Sequence, residues 1–175
     1  MLDRLSPRAV FAALFLACAS LIGFGLALQH FVGLEPCPMC ILQRYAFMLL
    51  GAVALVATAH GPARVGVAVR AYSLAIIGIA AAGGSISVRQ SLLQRFPAPE
   101  SAKCMAGDLD FLLGNFPLAQ ALPKIFAGTG DCAKVEWSLL GLSIAEWALV
   151  WFATLAAVAL WLAFFRRRSD FGIRR

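Results

Sequence analysis

The stretch EPCPMCILQRYAFMLLGAVALVATA (35–59) joins a Cys-x-x-Cys pair to an apolar run broken in polarity only by Gln43, Arg44 and Thr58. A helix that crosses hydrocarbon needs about 20 predominantly apolar residues, and Ile41–Ala59 fits. Three more blocks have the same character. Val10–Leu28 is interrupted only by Ser20 and glycines, Tyr72–Val88 is built mainly from Ala, Ile, Gly and Ser, and Leu139–Phe165 carries a single charge, Glu146. The whole chain is 61% hydrophobic and 14% charged, where a soluble domain carries about a quarter charged residues. The pattern predicts an all-α membrane protein: a four-helix transmembrane bundle forming a single membrane domain over 1–175. Its helices are expected near 10–28, 41–59, 72–88 and 139–165, with outer segments near 29–40 and 89–138. Arg4 and Arg8 ahead of the first block also suit a signal peptide, but that block exceeds the usual 7–15-residue apolar region, so a retained helix is expected.

Orientation follows from the basic residues flanking the spans. With four spans, both termini and the middle loop share one side. That side holds Arg4, Arg8, Arg64, Arg70, Arg166, Arg167, Arg168, Arg174 and Arg175 against Asp3 and Asp170. The opposite side balances Arg44, Arg89, Arg95, Lys103, Lys124 and Lys134 with Glu35, Glu100, Asp108, Asp110, Asp131 and Glu136. The net charge of +6 thus reports topology, with both termini cytoplasmic, and gives no sign of a nucleic-acid partner. Cys37, Cys40, Cys104 and Cys132 fall on the outer side, where disulfides persist; in a bacterium this is the periplasm. Only Cys18 lies within a helix.

The outer segment 89–138 is longer than an ordinary connector. FPAPE (96–100) favours an extended path. DLDFLLGNFPLAQALPKIFAG (108–128) suggests a short interfacial helix, and GTGDC (128–132) a glycine-rich turn that leaves Cys132 mobile. Trp137, Trp147 and Trp151 suit an aromatic belt at the membrane surface.

Cys37 and Cys40 sit where a helix begins, so the positive end of that helix favours a thiolate. Arg44, four residues after Cys40, falls on the same face one turn deeper. A cation there is costly unless paired or used; it either snorkels to the interface or acts on a thiolate or a bound acceptor. Cys-x-x-Cys is also a metal half-site, but the distance between Cys104 and Cys132 does not make the second close pair of a zinc ribbon, so no metal is expected. Ile41 removes the haem-attachment pattern. Cys104 and Cys132 suit either a structural staple or a second redox pair. Two dithiol pairs beside a helix-end cation suit a membrane thiol oxidoreductase, because a dithiol and a lipid-soluble quinone exchange the same number of electrons and protons. The contrasting expectation is a non-catalytic scaffold or transporter with two structural disulfides.

PCPMCILQRY (36–45), LLQRFPAPESAKC (92–104) and GDCAKVEWSLLGLSIAEW (130–147) resemble the disulfide bond formation protein B family, DsbB. The resemblance implies an inner-membrane enzyme, a protein-dithiol:quinone oxidoreductase that keeps the periplasm oxidising with a DsbA-like thiol oxidase and a quinone, ubiquinone or menaquinone. It further implies that Cys104 and Cys132 form the disulfide attacked by the DsbA-like protein. Cys132 would then attack Cys37, leaving Cys40 as a thiolate facing the quinone, with Arg44 at the quinone site. Gln90 stands where some family members carry a histidine near the quinone, so a possible cation is replaced by a neutral amide. Glu146 near the start of the fourth span is unusual for the family and reads as an interfacial carboxylate.

Overall fold

The computed structural model describes residues 6–34, 36–62, 66–96, 132–135 and 137–165. Among the described residues four helices are long and apolar enough to cross a membrane: α1 (Pro7–Phe31), α2 (Pro38–His60), α3 (Val67–Arg95) and α4 (Ile144–Leu160), which continues through a π-helical turn at Trp161–Phe165. The chain is therefore an all-α four-helix membrane bundle. The proposed interfacial helix at 108–128 and residue Cys104 lie outside the described residues.

Each helix starts for a local reason. Ser6 Oγ accepts the Ala9 N–H and Pro7 supplies the first turn of α1, satisfying an otherwise orphaned donor. Cys37 plays the same part for α2, its sulfur accepting the Cys40 N–H at 3.3 Å with Pro38 following. α2 stops at Gly61, whose φ of 61° is left-handed, a conformation that glycine adopts without steric cost.

The fourth span departs from expectation. Its helix does not begin at 139; Ser138–Leu139 and Leu142–Ser143 pair as short antiparallel strands, β1 and β2, and α4 starts at Ile144. Leu140 and Gly141 both have positive φ, 54° and 81°, as a two-residue hairpin turn of this hand requires. Ser143 then closes a reciprocal capping box with Glu146: Ser143 Oγ accepts the Glu146 N–H, and Glu146 Oε2 accepts the Ser143 N–H at 2.8 Å. Arg95 Nε donates to Glu146 Oε1 at 2.9 Å, tying the end of α3 to the start of α4. The carboxylate is thus paired as well as interfacial.

The helices pack in chain order, α1 on α2, α2 on α3 and α3 on α4, while α1 and α4 touch little. In lipid the driving force is close packing rather than escape from water, and the contact faces use small residues accordingly. Ala46, Ala54, Ala57, Ala80, Ala148 and Ala159 are buried among Phe11, Leu50, Ile76 and Phe152. Leu16, Leu49, Val56 and Leu74 are exposed, as a hydrocarbon solvent permits. The low hydropathy of α3 has the same origin: Ser73, Gly83, Gly84, Ser87 and Ser91 form its buried stripe. A Cβ on Gly83 would overlap the Phe152 ring and stand 2.9 Å from Ala46 Cβ, so only glycine admits the Phe47–Phe152 stack, whose centroids are 4.0 Å apart and 5° from parallel.

Candidate functional site

The alternating helix directions gather the end of α1, the start of α2, the end of α3 and the start of α4 at one end of the bundle. Cys37, as N-cap of α2, holds extended backbone (φ −73°, ψ 159°), which turns its sulfur back over the first helical turn. There it lies 2.7 Å from Cys40 Sγ, and both thiols are free. Only a small approach separates this arrangement from a closed disulfide. The hydrogen bond to Cys40, together with burial, raises the affinity of the Cys37 thiol for its proton above the ordinary value.

Polar groups deliver hydrogen bonds to this pair across helices. Gln90 of α3 donates from Nε2 to Cys37 Sγ and to Cys40 Sγ, each at 3.2 Å. Gln43 of α2 donates from Nε2 to Gln90 Oε1 at 2.8 Å. The two glutamines are 3% and 2% exposed, so a broken bond here would leave a buried polar group unsatisfied, at about 1–3 kcal/mol.

Arg44 lines the same cavity as Cys40, one turn deeper. Its Nη1 donates to Gln29 Oε1 at 2.6 Å and its Nη2 to the Gly25 carbonyl at 3.1 Å, both on α1. A Cβ on Gly25 would stand 3.5 Å from Arg44 Nε, so the glycine leaves the guanidinium room to lie against the α1 backbone. Both partners are neutral, and the ion pair among the described residues is Arg95–Glu146. No carboxylate among the described residues pairs with Arg44, so its guanidinium is oriented by neutral partners and faces the cavity with its charge.

That cavity holds about 310 Å³, at the lower end of the range for small-molecule sites. Leu21, Ile22, Phe47 and Trp151 give it apolar walls, and Cys37, Cys40 and Arg44 reach it from α2. Its outer rim is braced by Phe24 against Trp137, edge to face at 5.9 Å, and by the Trp147 indole N–H donating to the Leu139 carbonyl at 3.0 Å. Gln94 also lines the cavity, and its buried Oε1 has no hydrogen-bond partner. The residues present fit a flat, lipophilic acceptor with polar oxygens: apolar walls for its ring, a cation for a carbonyl oxygen, and an unsatisfied acceptor for a hydroxyl.

Cys132 is fully buried, disulfide-bonded, and packed in one cluster with Cys37 and Met39. The glycine-rich turn before it suggests mobility, yet the residue itself is enclosed beside the first pair. Of the residues singled out by sequence, Cys37, Cys40, Arg44 and Cys132 thus meet at one end, and Cys104 is outside the described residues. Sequence reading missed Gln43, Gln29 and Gly25. The available signal was a glutamine inside an apolar span, which is expensive in lipid without a partner.

A family model described as "Disulfide bond formation protein DsbB" matches residues 7–162. The chain is 57% identical over 155 residues to a protein of Aromatoleum aromaticum named "Disulfide bond formation protein B", covering 89% of this chain and 91% of the relative. A protein of the same name from Azoarcus sp. is 52% identical over 160 residues, covering 91% and 94%. One from Stutzerimonas stutzeri is 41% identical over 156 residues, covering 89% and 94%.

Proposed function

This chain belongs to the DsbB family of membrane disulfide-bond formation proteins, and from that premise we propose that it reoxidises a DsbA-like dithiol protein and passes the electrons to a membrane quinone. The observation that carries the proposal is the Cys37–Cys40 pair opening into an apolar cavity that also holds an unneutralised arginine. The chain acts as one membrane domain in the inner membrane, with its termini cytoplasmic and its cysteine end periplasmic.

The reaction proceeds by thiol–disulfide exchange. A thiolate of the partner attacks Cys104 in a Cys104–Cys132 disulfide, forming a mixed disulfide and releasing Cys132. The partner's second thiol displaces Cys104 and leaves as an oxidised protein. Within the chain, Cys132 attacks Cys37 of a Cys37–Cys40 disulfide and expels Cys40 as a thiolate. Cys104 then attacks Cys132 of the Cys132–Cys37 bond and displaces Cys37, which restores the 104–132 bridge and leaves Cys37 and Cys40 reduced. Burial of Cys132 beside Cys37 and Met39 supports this direct exchange. Re-forming the Cys37–Cys40 disulfide gives up two electrons, and the quinone supplies the sink for them, with two protons. The residues of this chain hold that acceptor and bias the exchange: Arg44 attracts a carbonyl oxygen, Gln94 Oε1 offers an acceptor, and the walls exclude water. In balance, one dithiol becomes a disulfide and one quinone is reduced.

Quinone absorbance tests this directly. Adding a reduced DsbA-like protein to the purified chain in detergent is expected to bleach the oxidised quinone band catalytically, and Cys104→Ser is expected to abolish it. Full turnover by Cys104→Ser would overturn the electron path. If mild dithiol leaves the outer cysteines blocked to alkylation and neither ubiquinone nor menaquinone is consumed, a scaffold with structural disulfides replaces the oxidase.

A further inference from the structure

Gln90 uses its whole amide at the cysteine pair. A primary amide has two N–H donors and one carbonyl acceptor; here Nε2 reaches both sulfurs at 3.2 Å and Oε1 accepts from Gln43 at 2.8 Å. We propose that Gln90 is a positioning residue for the Cys37–Cys40 pair, clamped by Gln43 so that both its N–H bonds face the sulfurs and stabilise negative charge on whichever sulfur carries it. This rests on the redox reading of that pair and assigns the amide to the sulfurs instead of to the acceptor.

The clamp works through orientation. Turning a glutamine amide over exchanges its donor and acceptor ends with almost no change of shape. In the turned state a carbonyl oxygen would face the sulfurs, repelling a thiolate where the N–H groups attract one. Gln43 prevents this, because its N–H needs the Gln90 oxygen as acceptor and both side chains are buried. A hydrogen bond to the charged form of a group favours that form, so the fixed amide favours the opened, anionic state of the pair. Gln43 lies one turn past Cys40 on α2, and Gln90 comes from α3. The helix that carries the cysteines therefore also sets the direction of the amide that serves them.

Arg44 has a different duty. Its hydrogen bonds go to Gln29 and Gly25 on α1, and none among the described residues goes to a sulfur. The charged side chains lining the shared cavity are Arg44 from α2 and Lys134 ahead of the hairpin; α1, α3 and α4 contribute none among the described residues. The amide is thus the nearest neutral control on the pair, with two cations acting across the cavity.

The test is the pH dependence of alkylation of the reduced Cys37–Cys40 pair in the full-length chain in detergent, with neither quinone nor partner protein present. Gln90→Leu is expected to move the alkylation midpoint up by about one pH unit, the effect of one lost hydrogen bond to a charged sulfur. Gln43→Glu is expected to move it in the same direction, because a carboxylate draws the Gln90 N–H groups away from the sulfurs. Ser87→Ala, one turn back along α3, outside the cavity and with no bond to either sulfur, is expected to leave it in place. An unshifted midpoint in Gln90→Leu, with a native circular dichroism spectrum and melting transition, overturns the proposal. Equal shifts in Gln90→Leu and Ser87→Ala also overturn it, since general packing would then explain both. If Gln90→Leu does not fold, Gln43→Glu decides by the same criterion. A shifted midpoint without quinone reduction would uphold the clamp and remove the oxidase reading; normal turnover with an unshifted midpoint would do the reverse.

Discussion

The hydroxyls within the spans and the side chains around the cysteines satisfy their hydrogen bonds in different ways. Thr58 bonds one turn back in its own helix to the Ala54 carbonyl, Thr154 to Val150 and Ser87 to Gly83, while at the far end His60 and Tyr72 make a bond across α2 and α3. Bonds within one helix satisfy a hydroxyl without reference to any neighbour. At the cysteine end the bonds cross between helices, joining Gln43 to Gln90, Gln90 to both cysteines, and Arg44 to Gln29 and Gly25. Spanning a membrane needs only the first kind, because a helix already pairs its own backbone. The second kind fixes how far α2 is rotated relative to α1 and α3. The chemistry proposed above thus falls where side chains depend on other helices for their partners.

The largest effect should come from breaking the crossing bonds at their charged member. Arg44→Met is expected to raise the apparent KM for quinone by about tenfold or more, the loss of charge-assisted contact with the acceptor. Steady-state kinetics with a fixed concentration of reduced partner measure it. An unchanged KM would return Arg44 to the role of a snorkelling anchor and place the site's polarity in the glutamines alone.

The packing layer directly beneath the site offers a sharper contrast. Gly83→Ala is expected to lower the thermal transition through overpacking against Phe152, at about 1–3 kcal/mol, while turnover of the folded fraction persists at low temperature. Melting curves in detergent alongside activity per folded molecule separate the two. Loss of activity without loss of stability would mean that this packing layer and the site are one unit, and the contrast between span packing and site would fail.

The smallest effect is expected at the rim. Arg95→Ala removes an exposed ion pair, worth roughly 1 kcal/mol or less, and a small decrease in melting temperature that fades with added salt is expected. A large, salt-insensitive decrease would make the α3–α4 tie a main determinant of the site's shape.

Much of the bundle could be read directly because its signals are local. Apolar length gave four spans, and Cys37, Cys40 and Arg44 fall on one stretch of one helix. The hairpin at 138–143 was hidden because SLLGLS is as apolar as the helix that follows, so hydropathy does not divide them. The dividing marks were Gly141 and the Ser143-x-x-Glu146 pattern, both of which act through backbone geometry. The low hydropathy of α3 weakens its reading as a span, yet in the structure its small and polar residues are the face turned to the other helices. The Gln43–Gln90 bond links positions far apart in the chain, and its formation depends on the relative rotation of two helices, which no periodicity encodes. Arg44 shows the same limit: its depth was evident from spacing, but its neutral α1 partners were not.

The loose contact between α1 and α4 also sets the units in which this site counts its ligand. Residues of α1 and α4 line the cavity together with those of α2 and α3, so the quinone proposed above, itself dissolved in lipid, would reach it from within the membrane plane. Its relevant concentration is then a mole fraction among lipids, set by crowding in two dimensions. In detergent the same rule applies to micelles: at fixed total quinone, enlarging the micellar phase dilutes the acceptor without changing its molarity. Half-saturation should therefore follow the quinone-to-detergent ratio, and comparisons between relatives need that ratio held constant.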